Sequence, residues 1–225
     1  MQPHDPFTLR DILKGERLSS LFGALALLLV AYLVEYSASR YAFDYLSRPT
    51  SNHVGDLILD TIPVINLNFI IIKVALIALL SGALLVLSKP RYVLFTLKAF
   101  ALFIIIRALF VSLTHVGIHP DSIAPGFGFF DAVYLYLNLQ TGLFFSGHTG
   151  MPFLIALIFW HIPRVRYLLV SLSFIFGVAV LFAHVHYSID VFAAPFMAYG
   201  IFKIAVRLFP RDYELIAPKS ERIAG

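Results

Sequence analysis

The chain has 225 residues, 60% of them hydrophobic and only 13% charged, with a mean hydropathy of +0.86; soluble domains carry about 25% charged residues, so an ordinary water-soluble globule is excluded and a lipid environment is expected. With no cysteine, disulfides and thiolate metal sites are excluded. The net charge of +4 lies mostly in loops and ends, which reads as membrane orientation and not as a nucleic-acid face.

Residues 1–17, MQPHDPFTLRDILKGER, are charged and precede any apolar run, which predicts a cytoplasmic N-terminal tail. Six apolar runs follow, over about 18–37, 64–87, 93–116, 144–160, 167–183 and 187–209. A bilayer core of about 30 Å needs roughly 20 residues of helix, which the fourth and fifth runs only just supply. Backbone in lipid must satisfy its own hydrogen bonds, so helices are the default. The expected fold is an all-α membrane protein: a six-transmembrane-helix bundle over 18–209, with tails at 1–17 and 210–225.

Lysine and arginine divide unevenly between the loops. Arg10, Lys14, Arg17, Lys89, Arg91, Arg164, Arg166, Arg207, Arg211, Lys219 and Arg222 fall on one side, and only Arg40 and Arg48 on the other. Both termini are therefore expected in the cytoplasm. The loop 117–142 lacks Lys and Arg and contains the aromatic segment GFGFFDAVYLYLNLQ. It reads as an interfacial belt segment, with a lid or lipid gate as the functional alternative.

Several polar residues stand where lipid tolerates few. His186 and Asp190, in LFAHVHYSIDVF, are four apart and share a helix face. His148, in FFSGHTGMPF, opens the fourth run, and Arg107 lies in the outer half of the third. By the charge count all four fall in outer halves, at similar depth. Ionisable groups in spans cost about 2.5–3.5 kcal/mol each on insertion scales and are functional by default. Lys98 lies near a cytoplasmic end and is expected to snorkel. Lys73, inside the second run, is a candidate cavity-lining cation. Glu35 and Asp60, near outer boundaries, and His184 have no assigned role.

Ser146, Gly147, His148 and Thr149 are expected at a helix N-terminus, whose N–H groups and dipole favour phosphate. Gly147 admits close backbone approach, and Arg107 adds a planar fork for phosphate oxygens. Two imidazoles and a carboxylate suit covalent phosphoryl transfer without a metal: one imidazole attacks phosphorus, the carboxylate orients it, and the other protonates the leaving oxygen. A zinc site on His148, His184, His186 and Asp190 is the weaker reading. His184 and His186 would face apart on a helix, and an arginine and a helix N-terminus would flank the dication.

At these residues the chain resembles the phosphatidic-acid phosphatase type 2 superfamily of membrane lipid phosphatases and phosphotransferases. SGHT, followed about forty residues later by HYSID, is similar to two of its motifs. Within it the chain is most similar to the sphingomyelin synthase-like branch, through LFFSGHT, AHVHYSIDV, RALFVSLTHVGIHP and, faintly, DLILDTIP, over about 56–199. The resemblance implies His186 as nucleophile, Asp190 as its partner and His148 as acid/base. Where the phosphatases carry Lys-x-x-x-x-x-x-Arg-Pro, this chain has Phe100 and, after Arg107, Ala108; where they carry Ser-Arg it has Ala179 and Val180. Where the synthase branch usually has an aspartate it has Gly142.

Fewer cations favour a singly charged phosphodiester over a nearly dianionic monoester. The expected function is a lipid phosphodiesterase or phosphotransferase acting through a phosphohistidine. Arg107, Ser146, Gly147, Thr149 and Lys73 would bind the phosphate. Expected partners are a phospholipid donor, ceramide or diacylglycerol as candidate acceptor, and the bilayer. No cofactor, metal or nucleic acid is expected. The site would face the non-cytoplasmic side of a bacterial inner membrane. The alternatives are a lipid phosphate monoesterase, of phosphatidic acid or undecaprenyl pyrophosphate type, and a non-catalytic lipid-phosphate binder or transporter.

Overall fold

The computed structural model describes residues 7–46, 53–114, 116–136 and 144–218, and its regular elements are helical. They are α1 (Leu9–Ile12), α2 (Gly15–Leu46), a π-helical stretch Phe69–Val74 that runs straight into α3 (Ala75–Leu87), α4 (Pro90–Leu113), α5 (Phe129–Tyr136), α6 (Gly147–Ile158), α7 (Pro163–Phe182), α8 (Ser188–Leu208) and α9 (Pro210–Glu214). Proline opens α4, α7 and α9. Its fixed φ suits the first helical turn, and its missing N–H would have had no intrahelical acceptor there. Gly142 and its neighbours at 137–143 lie outside the described residues.

Among the described residues, five helices are long and apolar enough to cross a membrane: Gly15–Tyr45, Phe69–Leu87, Pro90–Leu113, Pro163–Phe182 and Ser188–Leu208. The expected fourth span is shorter than its apolar run. Helix α6 has 12 residues, or about 18 Å at 1.5 Å per residue. Ser146 caps its start, and Phe159 to His161 turn the chain into Pro163. The second run is also trimmed. Residues 64–67 are not helical, and the Ile65 N–H donates to the Phe182 carbonyl at 2.7 Å.

Small residues set the packing. Helix α2 buries Ala24, Ala31, Ala38 and Ala42 while Phe22, Leu25, Leu29 and Leu33 stay exposed, so an alanine seam lies along α4 and the bulky apolar face is left for lipid. In a bilayer, close backbone approach through small residues replaces the hydrophobic drive that water supplies. Helix α8 does the same with Ala194, Ala198 and Ala205. The main core joins α4, α6 and α8 through Phe95, Phe103, Phe145, Leu154, Ile158 and Ile201. Gly150 is required here, since a Cβ would come within 2.9 Å of the Phe103 ring.

A part-buried ion pair ties one end together. Lys98 Nζ lies 2.6 Å from Asp212 Oδ2 and donates to Ser20 Oγ at 2.8 Å. The expected snorkelling of Lys98 is thus replaced by an internal partner. Residues 210–218 are expected as part of a tail, but α9 occupies Pro210–Glu214, and Asp212, Ile216 and Ala217 are buried.

Candidate active site

The site is built on two helix starts bonded to each other. Ser146 precedes α6, and its side-chain oxygen accepts the Thr149 N–H at 3.4 Å. Its own N–H donates to the Asp190 carbonyl in the first turn of α8 at 2.9 Å. The Gly147 and His148 N–H groups have no intrahelical acceptor by the geometry of a first turn. The positive end of the α6 dipole is therefore held beside the first turn of α8.

Asp190 serves its helix and its neighbour at once. Its Oδ2 accepts from the Tyr187 N–H at 3.3 Å and lies 3.3 Å from His186 Nδ1. A carboxylate can only accept, so Nδ1 carries the proton and the lone pair sits on Nε2. His186 and Asp190 are each 6% exposed.

His148 faces His186 with ring centroids 6.3 Å apart. Its Nε2 lies 3.0 Å from the Ile71 carbonyl and 3.3 Å from the Tyr134 hydroxyl. The carbonyl fixes the proton on Nε2, which leaves Nδ1 for chemistry. The two imidazoles are thus held in opposite tautomers, each by an acceptor at its far nitrogen.

Arg107, on α4, is buried, and its Nη1 bonds Glu35 Oε1 of α2 at 3.0 Å. A Cβ on Gly147 would lie 3.8 Å from Arg107 Nε, so the guanidinium lies against the α6 start. Glu35, left without a role by sequence, is the orienting partner of the arginine.

The predicted residues divide. Arg107, Ser146, Gly147, His148, His186 and Asp190 come together. Thr149 turns towards α7: a Cβ on Gly177 would meet its Oγ1 at 3.3 Å, and its carbonyl accepts from Ser173 Oγ at 2.7 Å. Lys73 is exposed, with its ammonium 5.8 Å from the centre of the Phe69 ring, and so stands outside the buried group.

Sequence reasoning missed two contributors and undervalued one. Tyr134 lay in the aromatic segment, where nothing marks it from its neighbours, and the Ile71 carbonyl has no sequence signal. Asp56, part of DLILDTIP, was the legible one. Its Oδ2 accepts the Ser188 N–H at 2.6 Å; its Oδ1 accepts from Ile58 and Leu59 at 3.0 and 3.2 Å. Burial pushes the Asp56 carboxyl up, but these N–H donations outweigh it and hold it below the ordinary aspartate value. Beside Asp190 opens a cleft of about 180 Å³ lined by Thr114, Phe144, Phe145, Tyr187, Ile189 and Ala193. It is apolar, of a size for part of an acyl chain.

His184 takes no part in the imidazole pair. It turns at φ +53° and sets its ring edge-on to His119, centroids 4.8 Å apart. Burial, and then the neighbouring His119, hold its pKa below the ordinary histidine value.

Residues 141–207 match the family model described as PAP2 superfamily C-terminal. The matched stretch carries His148, His186 and Asp190, and it supports a membrane enzyme of the lipid phosphatase or phosphotransferase kind. No curated protein and no solved structure matches the chain. Arg107, Glu35 and Asp56 lie outside the matched residues, so their placement rests on the geometry alone.

Proposed function

We propose that this protein cleaves or transfers the phosphorylated headgroup of a phosphodiester lipid, in the manner of the sphingomyelin synthase-like enzymes. The observation that carries the reading is the pair of facing imidazoles, 6.3 Å apart, with one of them 3.3 Å from a carboxylate. The His186 Nε2 lone pair attacks phosphorus, and the bond from phosphorus to the lipid oxygen breaks. Protonated His148 gives its Nδ1 proton to that oxygen, releasing the lipid alcohol. The headgroup phosphate is now on His186, and Asp190 stabilises the positive ring. Neutral His148 then takes a proton from the acceptor hydroxyl, whose oxygen displaces the histidine from phosphorus. Water as acceptor makes a hydrolase. A lipid hydroxyl such as ceramide or diacylglycerol makes a transferase.

Charge supports a diester. Arg107 is the buried cation at this group, and it shares its charge with Glu35. A diester brings one negative charge; a monoester brings nearly two and needs more compensation. In this reading α6, fourth in chain order, joins the five longer helices to make six membrane elements, both termini are cytoplasmic, and the site faces the non-cytoplasmic side of the cell membrane.

Lipid mass spectrometry on the full chain in nanodiscs, given mixed phospholipids with and without ceramide, tests this. A headgroup moved to a new lipid, or diacylglycerol with free phospho-headgroup, is expected. Inorganic phosphate released from phosphatidic acid alone would favour the monoesterase. Chemically unchanged lipids would favour a binder or transporter.

A further inference from the structure

We propose that His119, Asp121 and His184 form a binding site for a divalent transition metal of the zinc type, separate from the phosphoryl-transfer group. One ligand atom from each residue lies within 4.8 Å of the others. Two imidazoles and one carboxylate make a three-ligand set that suits zinc, with a fourth position open to water. Calcium and magnesium prefer oxygen ligands throughout.

The second observation is the state of His184. It is only 3% exposed, and among the described residues neither of its ring nitrogens makes a well-formed hydrogen bond. The Ile62 backbone lies near enough to bear on the ring's protonation but not at bonding geometry. Buried polar atoms are nearly always satisfied, and a bare imidazole aimed at a second histidine and a carboxylate is an incomplete coordination sphere. His119 presents a lone pair as well. Its Nδ1 accepts the Asp121 N–H at 3.2 Å, which leaves that nitrogen unprotonated, and a metal would take the place of this long bond. Tetrahedral coordination at about 2.0–2.1 Å per ligand sets ligand atoms about 3.3 Å apart, so binding draws the three atoms in by up to about 1.5 Å.

The surroundings are already built to hold such a site. His119 and Asp121 lie on the connection between α4 and α5, and His184 on the turn between α7 and α8. The two segments are stitched on either side of the cluster. Tyr187 Oη donates to the Gly117 carbonyl at 2.9 Å, and the Ile123 N–H donates to the Ala183 carbonyl at 3.2 Å. A metal here would clamp the long connection onto the turn that also carries His186.

The test uses the untagged full chain in detergent, stripped with chelator, then titrated with zinc and with cobalt as the spectroscopic probe. About one equivalent should bind. Removing even an outer-shell partner of a metal ligand weakens binding about 10–100-fold, so His119→Ala and Asp121→Asn should each weaken it at least tenfold. Asp121 is exposed, so its variant stays informative if a His184 variant fails to fold. His161→Ala, at the far end of α6, should bind as the wild type does. Zinc should also slow amide exchange in residues 117–124 and 183–187. A folded chain that binds no stoichiometric metal would overturn the proposal. So would binding that both variants leave unchanged, or binding without slower exchange in those two segments.

Discussion

The Asp56 carboxylate accepts the Ser188 N–H at 2.6 Å across 132 residues of sequence. One acidic residue in the connection between α2 and the π-helical stretch thereby pins the start of the helix that carries Asp190. The same carboxylate closes its own turn through Ile58 and Leu59. Asparagine keeps one acceptor oxygen and cannot hold both sets. Asp56→Asn should lower stability by about 1.5–3 kcal/mol, the range for hydrogen bonds to charged groups, with a several-fold fall in kcat as His186 loses its register. Thermal unfolding in detergent and turnover on the same preparation check this.

That bond also sets a pH dependence. The Asp56 carboxyl titrates below its ordinary value in the fold, so the folded state favours the carboxylate. Its contribution is full above the unfolded pKa of about 3.9 and is lost as pH falls through the lower, folded value. The difference in Tm between wild type and Asp56→Asn should therefore hold from neutral pH to about 5 and shrink only below about 4. A difference that vanished near pH 6 would assign it to another group.

The facing imidazoles should separate by role. His186→Ala should abolish turnover and leave the fold intact, because the side chain supplies the attacking nitrogen. His148→Ala should slow turnover by about 10²–10⁴-fold, the usual worth of a positioned acid or base. Asp190→Asn should cost on the order of 10⁴-fold if its task is to hold the tautomer, by analogy with the aspartate of serine-protease triads. Steady-state kinetics with the donor found by lipid mass spectrometry measures all three.

Glu35 and Arg107 form a part-buried pair, the arginine the more deeply buried of the two, and removing one partner leaves the other poorly compensated. Arg107→Ala should destabilise by about 3–5 kcal/mol. Paired with Glu35→Gln it should recover part of that loss, and a double-mutant cycle reads the coupling. Arg107→Lys should raise KM more than it lowers kcat, because the planar fork that grips phosphate is lost.

Much of this site was legible because it depends on local spacing. The four-residue spacing pairs His186 with Asp190, although α8 begins only at Ser188 and His186 stands on the turn before it; a Ser-Gly-His-Thr sequence at the head of an apolar run marks a capped helix start. What stayed hidden depends on long-range contact or on backbone. The partner of Arg107 is 72 residues away in sequence, and Glu35 looks like any acid near a membrane boundary. The acceptor for His148 is a carbonyl, which every residue possesses. Lys73 drew notice by its depth in the second run alone; it sits in a π-helical stretch and is exposed. The length of α6 was overestimated because Phe159 and Trp160 score as apolar while the chain is already turning.

The most direct test of covalent catalysis at His186 is to look for the intermediate. His148→Ala protein would be incubated with the donor lipid, quenched at alkaline pH and digested, and the modified peptide located by mass spectrometry. An acid-labile headgroup phosphate is expected on His186, absent from the His186→Ala/His148→Ala double variant. Turnover by wild-type protein with the phosphate on another residue, or undiminished turnover in His186→Ala, would contradict it.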